Sequence, residues 1–120
     1  MAKKVLIIDD VATDRAAVCG IVRKLGFETI EAANGAEGVA MAKAHKPAAI
    51  LMDVVMPEMS GFEATRALLE DAATRSIPVV IVSSRSQISD FHRASSIGAR
   101  GYLTKPIDAQ AVVDTLTPLI

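Results

Sequence analysis

The chain carries a single cysteine, Cys19, so no internal disulfide can form and a reducing, cytoplasmic setting is expected. It also lacks an excess of either charge: 13 basic and 14 acidic residues leave a formal net charge of −1. Nothing here supplies the broad basic field that would hold nucleic acid or an anionic membrane, so neither is an expected direct partner. Long hydrophobic runs are missing although 51% of the residues are apolar; the longest, "AAILM" at 48–52 and "PVVIV" at 78–82, fall far short of a membrane span. The opening "MAKKVLIIDD" has only four apolar residues before two acids, too short a core for a secretion signal. No linker, repeat or low-complexity tract interrupts the pattern. These absences leave one expectation, a single soluble domain over 1–120 with no attached output domain, large enough to fold without disulfide or structural metal.

What is present alternates. Short Val/Ile-rich runs ("KVLII", "FETIEA", "AAILM", "IPVVIV", "GYLT") are separated by longer stretches with helical spacing. That order predicts an α/β fold in which parallel strands are joined by helices. The first helix is expected over "TDRAAVCGIVRKLG", with Val18, Val22 and Leu25 on its inner face and Gly26 as its stop. The second is expected over about 35–45, the third over about 62–73 with Phe62, Thr65 or Arg66, and Leu69 turned inward. The fourth is expected over about 86–97, ending at Gly98, and the fifth from about Asp108 to the C-terminus. "VLII", "AAILM" and "PVVIV" are apolar on both faces, as central strands must be, whereas "FETIEA" alternates and suits an edge.

In an open parallel sheet, chemistry collects beyond the carboxyl ends of the strands. The residues there are Asp9 and Asp10 after the first strand, Asp53 after the third, Ser83 and Ser84 after the fourth, and Lys105 with Pro106 after the fifth. Three carboxylates so close repel one another and would resist ionisation together unless a cation intervened. All-oxygen ligation of that kind suits Mg²⁺, which typically serves phosphate chemistry. A carboxylate screened by such an ion can attack phosphorus to form an acyl phosphate, with Lys105 and Ser83 donating to the phosphoryl oxygens. Each residue also has a plainer explanation: Asp9 and Asp10 as helix-capping acids, Asp53 as a turn former before Pro57, Lys105 as a solvated lysine. All of these holding at once is improbable. His45 and His92 read as a helix-end and a mid-helix residue, and Cys19 as core filler.

The motifs "IIDD" (7–10), "MDVVMPEMSG" (52–61), "IVSS" (81–84) and "YLTKP" (102–106), in that order and at those intervals, resemble the receiver domains of two-component response regulators over essentially the whole chain. The resemblance implies a flavodoxin-like three-layer sandwich whose five-stranded parallel sheet has the order 2-1-3-4-5. It implies that Asp53 takes a phosphoryl group from the phosphohistidine of a histidine kinase or histidine phosphotransfer protein. Mg²⁺ would be held by Asp10, Asp53 and the backbone carbonyl of Val55, with Asp9 acting through water. Ser83 and Tyr102 match the family's switch pair, a cis Lys105–Pro106 bond is expected, and the face of the fourth helix, fifth strand and fifth helix would meet a downstream protein partner. Val55 and Arg85 flank the path of hydrolytic water; Arg85 either lies across the phosphoryl group and slows its loss or points to solvent and changes nothing. The domain is expected as a monomer or weak dimer, and not as an enzyme beyond self-phosphotransfer and slow autodephosphorylation. "DVVMPEMSGFEATR" and "ARGYLTKP" resemble, more narrowly, stand-alone receivers of chemotaxis-like and type IV pilus twitching-motility systems. Two departures stand out: Ser83 replaces the commoner Thr, and Ser84 stands where Ala is frequent. A receiver-like binding module without phosphorylation and an aspartyl-phosphate phosphatase remain as alternatives; the latter wants a second acid two residues past its nucleophile, where this chain has Val55.

Overall fold

A computed structural model describes residues 2–84 and 87–120. Five strands, β1 (Lys4–Ile8), β2 (Glu28–Ala32), β3 (Ala49–Asp53), β4 (Val79–Ser83) and β5 (Gly101–Thr104), alternate with five helices. These are α1 (Ala12–Lys24), α2 (Gly35–His45), α3 (Gly61–Glu70), α4 (Ile88–Ser96) and α5 (Ala109–Leu116). All neighbouring strands pair in parallel, in the order β2-β1-β3-β4-β5. The alternating strand β2 is at an edge, and the doubly apolar β1, β3 and β4 fill the centre, as their patterns require.

Because successive side chains point to opposite faces, each central strand feeds two cores. Leu6, Ile8, Ile50, Met52, Val79 and Ile81 pack on the side that includes Ala42, Phe62, Leu68 and Ala94 from α2, α3 and α4. Val5, Ile7, Leu51, Val80 and Val82 pack on the other, with Val18 and Val22 of α1 and Val112 and Leu116 of α5. This is the expected three-layer sandwich. No helix among the described residues is long and apolar enough to cross a membrane.

Several boundaries shift from the sequence expectation, each for a local reason. The third helix stops at Glu70 and not near 73, because the Asp71 carboxylate accepts from the Ala73 amide at 2.8 Å and the Thr74 hydroxyl donates to the Leu68 carbonyl at 2.7 Å. Its buried stripe runs through Phe62, Thr65 and Leu68, leaving Arg66 exposed and Leu69 half-buried. The fourth helix starts at Ile88, where the Gln87 amide donates to Asp90 Oδ2 at 3.2 Å. On α1, Val18 and Val22 are buried with Cys19, while Leu25 is half-buried. Gly26 and Gly98 follow α1 and α4 with φ of 96° and 97°, a left-handed conformation that a Cβ would disfavour.

Candidate functional site

The parallel register brings the strand ends to one rim. Ile8 is paired with Met52, Asp53 with Val82, and Ser83 with Thr104, so the residues at and just after these positions emerge side by side. Asp9, Asp10 and Asp53 each offer a carboxylate oxygen, and the three atoms lie within 4.8 Å of one another. Asp9 does not cap α1: the N-cap is Val11, which has no side-chain cap, and Asp9 Oδ1 accepts from the Val11 amide at 2.9 Å in the preceding loop. Its other oxygen faces Lys105.

Lys105 is the hub of the rim. Its Nζ lies 3.0 Å from Asp9 Oδ2, 3.2 Å from Asp53 Oδ1 and 3.1 Å from Asp14 Oδ2. Its own amide donates to the Ser83 carbonyl at 2.7 Å, and the bond to Pro106 is cis. Burial works against the ammonium, but hydrogen bonds to Asp9 and Asp14 and the charge of Asp53 outweigh it and hold the lysine above its usual range. Lys105 is therefore firmly cationic.

Asp53 is pushed the opposite way from most paired carboxylates, from 3.8 up to about 6. Burial is the largest cause and repulsion from Asp9 the next; attraction to Lys105 only partly offsets them, and Asp10 adds to the rise. Asp10 contributes a different signal, because its Oδ1 is buried with no hydrogen-bond partner among the described residues. A buried carboxylate oxygen without a donor is costly unless something else satisfies it.

The raised value has a consequence for stability. The folded chain holds the Asp53 proton more tightly than the unfolded chain does, so the contribution is full below about pH 4 and is lost as pH rises through about 6. In the presence of chelator, Asp53→Asn should therefore be more stable than wild type near pH 7.5 by about 1–3 kcal/mol, with the gap closing as pH falls to about 4. Denaturant unfolding of both proteins at the two pH values checks this, and a gap of the same size at both would remove Asp53 as its source.

Of the residues singled out by sequence, Asp9, Asp10, Asp53 and Lys105 are brought together directly. Ser83 is buried at the end of β4 and Ser84 beside it is exposed. Tyr102 is half-buried on β5, its ring meeting Phe91 of α4 edge-on at 4.7 Å between centroids. The Val55 side chain is exposed. Arg85 lies outside the described residues. Cys19 is buried in the core, where burial pushes its thiol up and makes it a poor nucleophile.

Two residues were not anticipated. Asp14 approaches Lys105 from the first turn of α1, and Arg15 beside it donates to the Asp9 carbonyl at 2.7 Å and to Glu31 Oε1 at 3.1 Å. Arg15 thereby fastens the acidic loop to β2. The sequence signal for Asp14 was an acid in the first helical turn, close after the Asp9–Asp10 pair, which dipole preference alone would explain.

A parallel 2-1-3-4-5 sheet with clustered acids and a lysine on its carboxyl rim defines a class of signalling module, and residues 5–117 match the profile described as the response regulator receiver domain. The chain belongs to that family. It is 41% identical to Protein PilH of Pseudomonas aeruginosa over 117 residues, 98% of this chain and 97% of that protein. It is 34% identical to the polar-differentiation response regulator DivK of Brucella anthropi over 116 residues, 97% of this chain and 94% of that protein. The solved structure of the Vibrio cholerae chemotaxis protein CheY4, 28% identical, covers 100% of both chains with a TM-score of 0.92. The kinship is thus with stand-alone receivers of the chemotaxis and pilus type.

Proposed function

We propose that Asp53 accepts a phosphoryl group from the phosphohistidine of a histidine kinase or phosphotransfer protein, in a Mg²⁺-dependent reaction that switches a protein-binding face. The observation that carries this is the Lys105 ammonium held between Asp9 and Asp53 on a rim where Asp10 Oδ1 is buried without a donor. One Asp53 oxygen attacks phosphorus; the P–N bond breaks, its electron pair returns to the imidazole, and an acyl phosphate remains on Asp53. Lys105 turns a donor onto a phosphoryl oxygen, and the Ser83 hydroxyl donates to another.

The residues fit a divalent cation. They are hard oxygen donors, clustered within 4.8 Å, one of them orphaned in its burial. Asp10, Asp53 and the Val55 carbonyl would hold Mg²⁺, with Asp9 acting through water. When bound, the ion supplies charge neutralisation that lets an anionic phosphoryl donor approach an anionic acceptor.

The output surface in this reading is the α4-β5-α5 face. Ile88 and Phe91 are exposed on α4, and Phe91 touches Tyr102, so a shift at Ser83 has a short path through Tyr102 to apolar surface a partner can read. A cytoplasmic module with a protein partner, in chemotaxis or pilus motility, suits the near-neutral charge and the kinship with PilH. It works without direct contact to nucleic acid or membrane, as a monomer or weak dimer whose only chemistry is self-phosphotransfer and slow loss of the group.

Incubating the protein with acetyl phosphate tests the reading. Wild type should gain the mass of one phosphoryl group with Mg²⁺ present and none with chelator. Asp10→Asn should need a higher Mg²⁺ concentration for the same gain, because a ligand is lost, whereas Lys105→Ala should bind the ion at least as well, because a nearby cation is lost. Phosphorylation that proceeds equally in chelator would reject the metal's role, and no gain under any condition would favour a binding module that is never phosphorylated.

A further inference from the structure

Lys105 has three N–H donors and faces three carboxylates, Asp9, Asp14 and Asp53, at 3.0, 3.1 and 3.2 Å. Two donors are spent in hydrogen bonds to Asp9 and Asp14, and the remaining side of the ammonium faces the Asp53 carboxylate. A phosphoryl oxygen arriving at Asp53 can be held by Lys105 only if one of these acceptors is given up.

The three are not equally easy to release. The Asp9 and Asp53 side chains are 4% and 10% exposed, so while a phosphoryl donor is still approaching and Asp53 is still a carboxylate, releasing either would leave a buried anion short of a donor. The Asp14 side chain is 46% exposed and exchanges the lysine for water at little cost. Asp14 is also placed independently of Lys105. It is the third residue of α1, where the helix dipole favours an acid, and the helix is packed on the sheet through Val18 and Val22.

We infer that Asp14 is a positioning residue that holds the third donor of Lys105 in the unphosphorylated protein and competes with the phosphoryl group for it. This deepens the phosphoacceptor reading and rests on it. Two effects oppose each other when Asp14 is removed: Lys105 loses an anchor, and it gains a free donor. The second wins, because Asp9 and Asp53 still hold the ammonium from two sides while the donor given up by Asp14 becomes available. Asp14 therefore acts as a brake on phosphorylation that works entirely through Lys105.

The experiment is a double-mutant cycle of wild type, Asp14→Asn, Lys105→Ala and the double variant, with Asp14→Glu alongside. Initial phosphorylation rates with acetyl phosphate and Mg²⁺ are followed by intact mass. Beryllofluoride, a noncovalent phosphoryl mimic, is titrated into the same proteins so that a very slow Lys105→Ala still yields a binding midpoint. Asp14→Asn should phosphorylate about two- to five-fold faster than wild type and bind beryllofluoride tighter by a similar factor, modest because the pair is partly exposed. Asp14→Glu, which keeps the carboxylate, should stay near wild type, and Asp14→Asn should have no effect in the Lys105→Ala background. Equal acceleration in that background would mean a general relief of negative charge and would overturn the inference, as would no acceleration with Lys105 intact. If wild type itself takes up no phosphoryl group, the underlying reading fails first and the inference with it.

Discussion

Asp53→Asn is expected to stay at its unmodified mass under conditions that phosphorylate wild type completely. The reason is geometric as much as chemical. An amide oxygen is a weak nucleophile, and the two other carboxylates on the rim are not placed to replace it. Asp9 holds the Val11 amide with one oxygen and Lys105 with the other, which lowers the nucleophilicity of both. Asp10 follows Asp9 in the loop after β1, whereas Asp53 is the last residue of β3, the strand between β1 and β4 and hence at the centre of the rim. Intact mass after acetyl phosphate and Mg²⁺ reads the loss directly. A full phosphoryl gain by Asp53→Asn would place the acceptor elsewhere. The variant should otherwise be well folded, since it removes the most strongly disfavoured charge of the site.

Gly61→Ala should have the opposite character, a large structural cost with activity lost as a consequence. A Cβ at Gly61 would overlap the Asp53 carbonyl oxygen and stand 2.8 Å from its carbon and 2.9 Å from Val54 Cα, all backbone atoms that no side-chain rotation can move. The glycine is pinned from both sides: its amide donates to the Val54 carbonyl at 2.9 Å and its carbonyl accepts from the Thr65 hydroxyl at 2.7 Å. Either the loop lifts off β3 or Asp53 is displaced from the rim. Overpacking of this kind typically costs about 1–3 kcal/mol, and the absence of any yielding side chain puts this site at the upper end or beyond. Gly20→Ala is the matched control, because nothing lies within 4 Å of its Cβ position; in a helix interior it should stabilise by about 0.5–1 kcal/mol. Chemical denaturation of both variants decides the matter, and a Gly61→Ala as stable as wild type would show that the loop has room.

These two residues also mark what was legible in the sequence. Asp53 and Gly61 are both in "MDVVMPEMSG", and an apolar run ending abruptly in an acid and then Pro and Gly announces a strand reaching a crowded loop. The edge position of β2 was legible for the same reason, because burial on two faces leaves a different pattern from burial on one, whereas the strand order came from the family resemblance. The rotation of α3 was not. "ALL" at 67–69 offers two leucines to one inward position, and helical spacing cannot choose between Leu68 and Leu69. Asp14 was hidden more deeply, because its partner Lys105 is 91 positions away and nothing local distinguishes it from an ordinary first-turn acid. Arg15 is similar: its role depends on the Asp9 carbonyl, a backbone atom with no sequence signature.

The two margins of the sheet carry a last consequence. The outer strand β2 presents exposed Glu28 and Glu31, and the opposite margin, β5, is only four residues long between the exposed Arg100 and the cationic Lys105. A second molecule adding its own strand to β2 in register would set carboxylates beside carboxylates, and on β5 it would find too little backbone to pair with. Sheet extension from one copy to the next is therefore discouraged at both ends, and the folded chain can reach high concentration without templating its own aggregation.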